Sequence, residues 1–70
     1  MNYKKTIKNM ILDLEKREDS LTKAEIKEAI IELNYYMMTA IDIHDVYSVR
    51  EIRDEITNLV EIYLKKADEK

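Results

Sequence analysis

Apolar residues return every three or four positions along three separate stretches of the chain, with charged residues between them. In the first, Tyr3, Ile7, Met10, Ile11 and Leu14 share one face, so the spacing predicts a helix over residues 3–17. Leu12 falls off that face. Asn2 is placed to cap the helix, and Asp13 and Arg17 stand four apart in the favourable acid-before-base order. The polar run Arg17-Glu18-Asp19-Ser20 ends the element.

The second stretch, Thr22 to Ile43, organises the rest. As a helix over 23–42, it carries Ile26, Ala29, Ile30, Leu33, Tyr36, Met37, Ala40 and Ile41 on one broad stripe. A narrower stripe of Ala24, Ile31, Tyr35 and Met38 lies on roughly the opposite side, at the spacing of a coiled-coil seam. A helix apolar on two sides needs partners on two sides.

Two capping boxes bracket the remaining elements. Leu21-Thr22-Lys23-Ala24-Glu25-Ile26 offers Thr22 as cap, Glu25 as the reciprocal acid and Leu21 with Ile26 as hydrophobic staple. Tyr47-Ser48-Val49-Arg50-Glu51-Ile52 repeats the pattern, with Ser48 as cap and Tyr47 stapled to Ile52. It predicts a third helix over 49–67 after a connection from Ile43 to Tyr47. Val49, Ile52, Ile56, Leu59, Val60, Tyr63 and Ala67 form its single apolar arc, and Glu61 with Lys65 supplies another ion-pair spacing. Residues 68–70 are expected to fray.

These elements define one helical domain over 1–70, an all-α, three-helix up-down-up bundle. The first and third helices each have one apolar face for the broad stripe of the central helix. The narrow stripe remains for a second copy, making a homodimer with Ala24, Ile31, Tyr35 and Met38 as its interface. A compact monomer would instead enclose those residues at the edges between helices.

Composition sharpens this picture. Seventy residues bury a small core, one that rarely supplies more than about 3–5 kcal/mol alone. The chain has no Cys and one His, which removes disulfides and structural zinc and leaves oligomerisation as the available staple. Gly and Pro are also absent, so hairpins and phosphate-cradling glycine loops are not expected. No apolar run approaches the length of a membrane span. Asp13 and Glu15 interrupt what would be a signal-peptide core, and cytoplasmic residence without membrane contact is the expectation.

The net charge is −3, unevenly spread. No Lys or Arg falls between Lys27 and Arg50, whereas the first third is rich in lysine. Glu25, Glu28, Glu32 and Asp42 therefore form a candidate acidic surface, suited to occupying the basic surface of a DNA-binding partner as a DNA mimic. Direct nucleic-acid binding is not expected. Arg50 and Arg53 open the third helix as a recognition helix would, but Glu51, Asp54 and Glu55 alternate with them and repel phosphate. A small DNA-binding regulator is the class alternative.

Catalytic chemistry has little footing. Asp42, His44 and Asp45 include metal-ligand types, yet Asp42 and His44 face different ways on a helix and no second His or Cys completes a set. No metal or cofactor is expected. Ser20 and Ser48 sit at turns that capping explains, without the glycine-flanked elbow of a hydrolase nucleophile. The carboxylates Glu51, Asp54 and Glu55 are assigned to the solvent side of the third helix. Set against the Ser-Gln-Glu-Leu-Asp pattern of small sporulation phosphatases, the chain has Arg53 for the Ser and Thr57 for the Asp, and shares only the apolar rhythm. The expected role is binding rather than catalysis: a small regulator or inhibitor of a larger protein. Tyr35 and Met38, area-rich and pliable side chains, suit such a surface.

Overall fold

The computed structural model describes residues 3–66: α1 (Tyr3–Lys16), a short 3₁₀ turn at Glu18–Ser20, α2 (Lys23–Asp42) and α3 (Val46–Lys65). The described residues contain no strand, and the fold is all-α.

Each helix feeds the core from positions seven apart: Ile7 and Leu14 from α1, Ile26 and Leu33 from α2, Ile52 and Leu59 from α3, joined by Leu21. A seven-residue step returns to nearly the same side of a helix, drifting by only about 20°. Three short seams therefore close on one another, while Met10, Ala29, Ile30, Tyr36, Met37 and Ile56 pack around them. Leu12, off the stripe, is exposed.

The first predicted capping box is present. Thr22 Oγ1 accepts the Glu25 amide at 3.1 Å, and Glu25 Oε1 accepts the Thr22 amide at 2.8 Å. The Thr22 amide first, and the Thr22 side chain next, hold the Glu25 carboxyl below its ordinary pKa. Leu21 and Ile26 are both buried, as a staple requires. The Asp13–Arg17 pair also forms, at 3.0 Å.

The second box does not form. α3 starts at Val46, three residues before the predicted start, and its cap is Asp45. Ser48 lies inside the first turn, where its amide and hydroxyl donate to the two Asp45 carboxylate oxygens at 3.2 and 2.7 Å. The Asp45 carboxylate accepts both bonds at once, one on each oxygen, and the helix starts three residues earlier with Ser48 as a donor in its first turn. Tyr47, the predicted staple, is 72% exposed.

The connection is consequently only Ile43 to Asp45. It closes α2 with a Schellman pattern: the Asp45 amide donates to the Ala40 carbonyl at 2.8 Å and the His44 amide to that of Ile41 at 3.1 Å. That geometry puts His44 at φ 58°, a left-handed conformation that glycine normally fills. The chain has no glycine, and an exposed histidine takes the position.

Asp45 binds all three helices together. Its amide ends α2, its carboxylate starts α3, and it accepts the Tyr3 hydroxyl from the first turn of α1, with Lys4 Nζ at 3.8 Å. At the far end of α1, Asn58 of α3 donates to Glu18. These bonds bring the start of α1 to the start of α3, and the end of α1 to the middle of α3.

Three smaller expectations also change. Ile41 and Val60, assigned to apolar core faces, are exposed at the margins of the α2–α3 pair. Glu55, assigned to solvent, is buried. Asn2 and Ala67 lie outside the described residues.

Candidate interaction surfaces

The narrow stripe of α2 lies in the open. Ile31, Tyr35 and Met38 are 70, 70 and 60% exposed, and Ala24 is exposed with them. Neither α1 nor α3 encloses these residues, so the expectation of a compact monomer that covers them is not met. The Tyr35 ring meets that of half-buried Tyr36 edge-on, with centroids 5.7 Å apart. An exposed aromatic is thereby oriented by one anchored at the core.

The stripe runs into an apolar groove of about 420 Å³ lined by Lys27, Ile30, Ile31, Val60 and Tyr63, all from α2 and α3. Lys23 and Lys27 lie over the Tyr63 ring at 4.8 and 5.7 Å, which fixes the polar margin of that groove by cation–π attraction. Nearer the α2–α3 turn, Ile41, Val46 and Val49 line a further cleft. The exposed face is thus wider than the four residues named from α2, since Val60 shares the groove with Ile31, while exposed Val46 lines the separate cleft. The expected connection from Ile43 to Tyr47 includes Val46, which the structure places in the first turn of α3. Val60 falls within the apolar arc of α3 but at its margin, which leaves it exposed.

A second groove, of about 290 Å³, lies between α1 and α2. Three of the four predicted acidic residues, Glu25, Glu28 and Glu32, line it, joined by Asp13; Arg17 is the basic residue there. Arg17 is already paired with Asp13. Asp42 does not line this groove and sits, exposed, at the other end of α2. Sequence reasoning missed Asp13 because its partner groove is made by a different helix.

Glu55 lines neither groove. It is 4% exposed, and among the described residues its Oε2 is a buried side-chain atom with no hydrogen-bond partner. Burial is the main reason its pKa is pushed up to about 7, and the charges of Glu15 and Glu18 add to the effect. Asp45 is the opposite case. The Tyr3 hydroxyl first, and Ser48 next, hold its carboxyl down at about 2.

Among the described residues no group of three or more His, Cys, Asp or Glu is placed to hold a metal ion, and no helix is long and apolar enough to cross a membrane. Arg50 and Arg53 are exposed, with exposed Glu51 and Asp54 interleaved. No family model, curated protein or solved structure matches the chain.

Proposed function

We propose that this chain is an up-down-up three-helix bundle that binds protein rather than turning over a substrate. In this reading it pairs with a second copy through Ala24, Ile31, Tyr35 and Met38, and acts in the cytoplasm as a small regulator or inhibitor of a larger protein. The observation that carries the reading is the exposure of three large apolar side chains on one face of α2, continuous with the α2–α3 groove. Contiguous apolar patches of this kind mark interaction sites on small proteins. The Tyr3–Asp45 and Asn58–Glu18 bonds support the up-down-up order, since they set α1 alongside α3 in the same sense.

Sedimentation equilibrium at micromolar concentration tests the pairing. The wild type is expected at dimer mass, and Tyr35→Glu combined with Met38→Glu at monomer mass with helical circular dichroism retained. A wild type that sediments as a monomer removes the basis for self-association.

A second reading is favoured by the acidic groove. Asp13, Glu25, Glu28 and Glu32 along one cleft suit a basic partner segment, including the basic surface of a DNA-binding protein. Glu28→Gln with Glu32→Gln is then expected to weaken partner binding and lower its salt dependence. Unchanged binding and unchanged salt dependence would refute this mimicry. A direct DNA-binding regulator is the less favoured alternative, because the arginines of α3 are interleaved with carboxylates.

A further inference from the structure

Two pairs of exposed residues on the outer side of α2 are symmetric about one point. Ile31 and Met38 are equidistant from the point between Asn34 and Tyr35. Lys27 lies four residues before Ile31 and Asp42 four residues after Met38, so the same point relates this pair of opposite charges. All four side chains are exposed, and on a helical projection they fall within a sector of roughly 60°. The centre of that sector lies well away from the buried seam of Ile26, Leu33 and Ala40.

An isologous contact between antiparallel helices sets each position against its counterpart across the midpoint. We infer that two copies of this chain pair antiparallel along α2 about the point between Asn34 and Tyr35. Ile31 then packs on Met38 of the partner subunit, and Lys27 lies opposite Asp42 of the partner subunit, at both ends of the contact. This assignment rests on the self-association proposed above and specifies its geometry.

Other registers are worse on the same residues. Sliding the helices by one turn in one direction sets Glu28 against Met38; sliding them the other way sets Ile31 against Asp42. Either shift desolvates a carboxylate against an apolar partner. A parallel pair brings Lys27 to Lys27, Glu28 to Glu28 and Asp42 to Asp42, opposing like charges along its length. Among Lys27, Ile31, Met38 and Asp42, only the antiparallel register about this point joins apolar to apolar and base to acid; off that line it sets Tyr35 opposite Asn34 of the partner subunit and Glu28 opposite Ile41 of the partner subunit. It also leaves the acidic α1–α2 groove, lined by Asp13, Glu25 and Glu32, outside the line of closest contact.

Charge reversal tests the register separately from the fact of dimerisation. Lys27→Glu opposes two carboxylates at both ends of its homodimer, and Asp42→Lys opposes two ammonium groups. Each single variant is expected to raise the dimer Kd at least about tenfold at low salt, because every reversed residue acts twice. An equimolar mixture of the two variants sets unlike charges against each other at both ends. Its heterodimer is expected to recover the wild-type Kd to within about threefold. Recovery cannot come from the Lys27–Tyr63 contact, which lies within one chain: the Lys27→Glu chain lacks it and the Asp42→Lys chain keeps it, in homodimers and heterodimer alike. Helical circular dichroism of each variant verifies folding, and both positions are exposed.

A wild-type dimer whose Kd the single reversals leave unchanged overturns the register while leaving self-association standing. So does a mixture no tighter than its components. A monomeric wild type overturns both readings.

Discussion

Glu55 makes the stability of this protein depend on pH in a direction that can be worked out in advance. Its carboxyl is 4% exposed and faces Glu15 and Glu18 with one oxygen unpaired, so the folded chain holds its proton up to about pH 7. In the unfolded chain the same group ionises at its ordinary value of 4.5. Below 4.5 both states are protonated and the group costs nothing. As pH rises toward 7, the unfolded state gains from ionising while the folded state cannot, and stability falls. Above 7 the full difference applies. At about 1.4 kcal/mol per pKa unit, the shift from 4.5 to about 7 corresponds to a loss of about 3 kcal/mol. That is comparable to the whole stability expected of so small a core, about 3–5 kcal/mol.

Glu55→Gln keeps the shape and removes the charge. Urea denaturation followed by circular dichroism, at one protein concentration and at pH 5, 6, 7 and 8, is the assay, since association would otherwise shift the midpoints. The difference between the two proteins is expected to be smallest at pH 5 and to grow with rising pH toward 7, the variant gaining up to about 3 kcal/mol relative to the wild type. Because other titrating groups are common to both, the difference curve isolates Glu55. Changing Glu15 and Glu18 to Gln should move the divergence to lower pH while leaving part of it, since burial is the larger cause. Parallel profiles from pH 5 to 8 would refute the reasoning.

Three further outcomes are expected. Asp45, held down at about 2, stabilises the fold above its ordinary value of 3.8, and that contribution is lost as pH falls from 3.8 through 2; in Tyr3→Phe the Asp45 carboxyl, followed by carbon NMR, should titrate closer to 3.8. His44→Gly relieves the left-handed φ of 58° and should raise stability by about 1 kcal/mol in urea unfolding, whereas an unchanged or lower midpoint would mean the histidine side chain contributes more than the strain costs. Thr22→Ala removes a formed cap and should cost about 1 kcal/mol, whereas Glu51→Ala, whose capping box is absent, should stay within about 0.5 kcal/mol in the same assay.

Periodicity and local capping determined most of the architecture. Ile7 with Leu14, Ile26 with Leu33 and Ile52 with Leu59 were legible as core because a seven-residue step is a property of one helix by itself. The same holds for the Thr22–Glu25 box, whose partners are three residues apart, and for the outward stripe of Ile31, Tyr35 and Met38. What the sequence alone could not settle depended on contacts between helices. Asp45 prevailed over Ser48 as the cap of α3 partly because Tyr3, forty-two residues away, donates to the same carboxylate. Glu55 projects beside the apolar arc of α3, about 60° from Ile52, where its charge argues for solvent, and it is buried facing the Glu15 and Glu18 charges at the end of α1. Asp13 joined the acidic groove, and Asp42 left it, for the same kind of reason. A pattern along one helix states which side is apolar; which polar groups lose their water is decided by the neighbouring helix that arrives there.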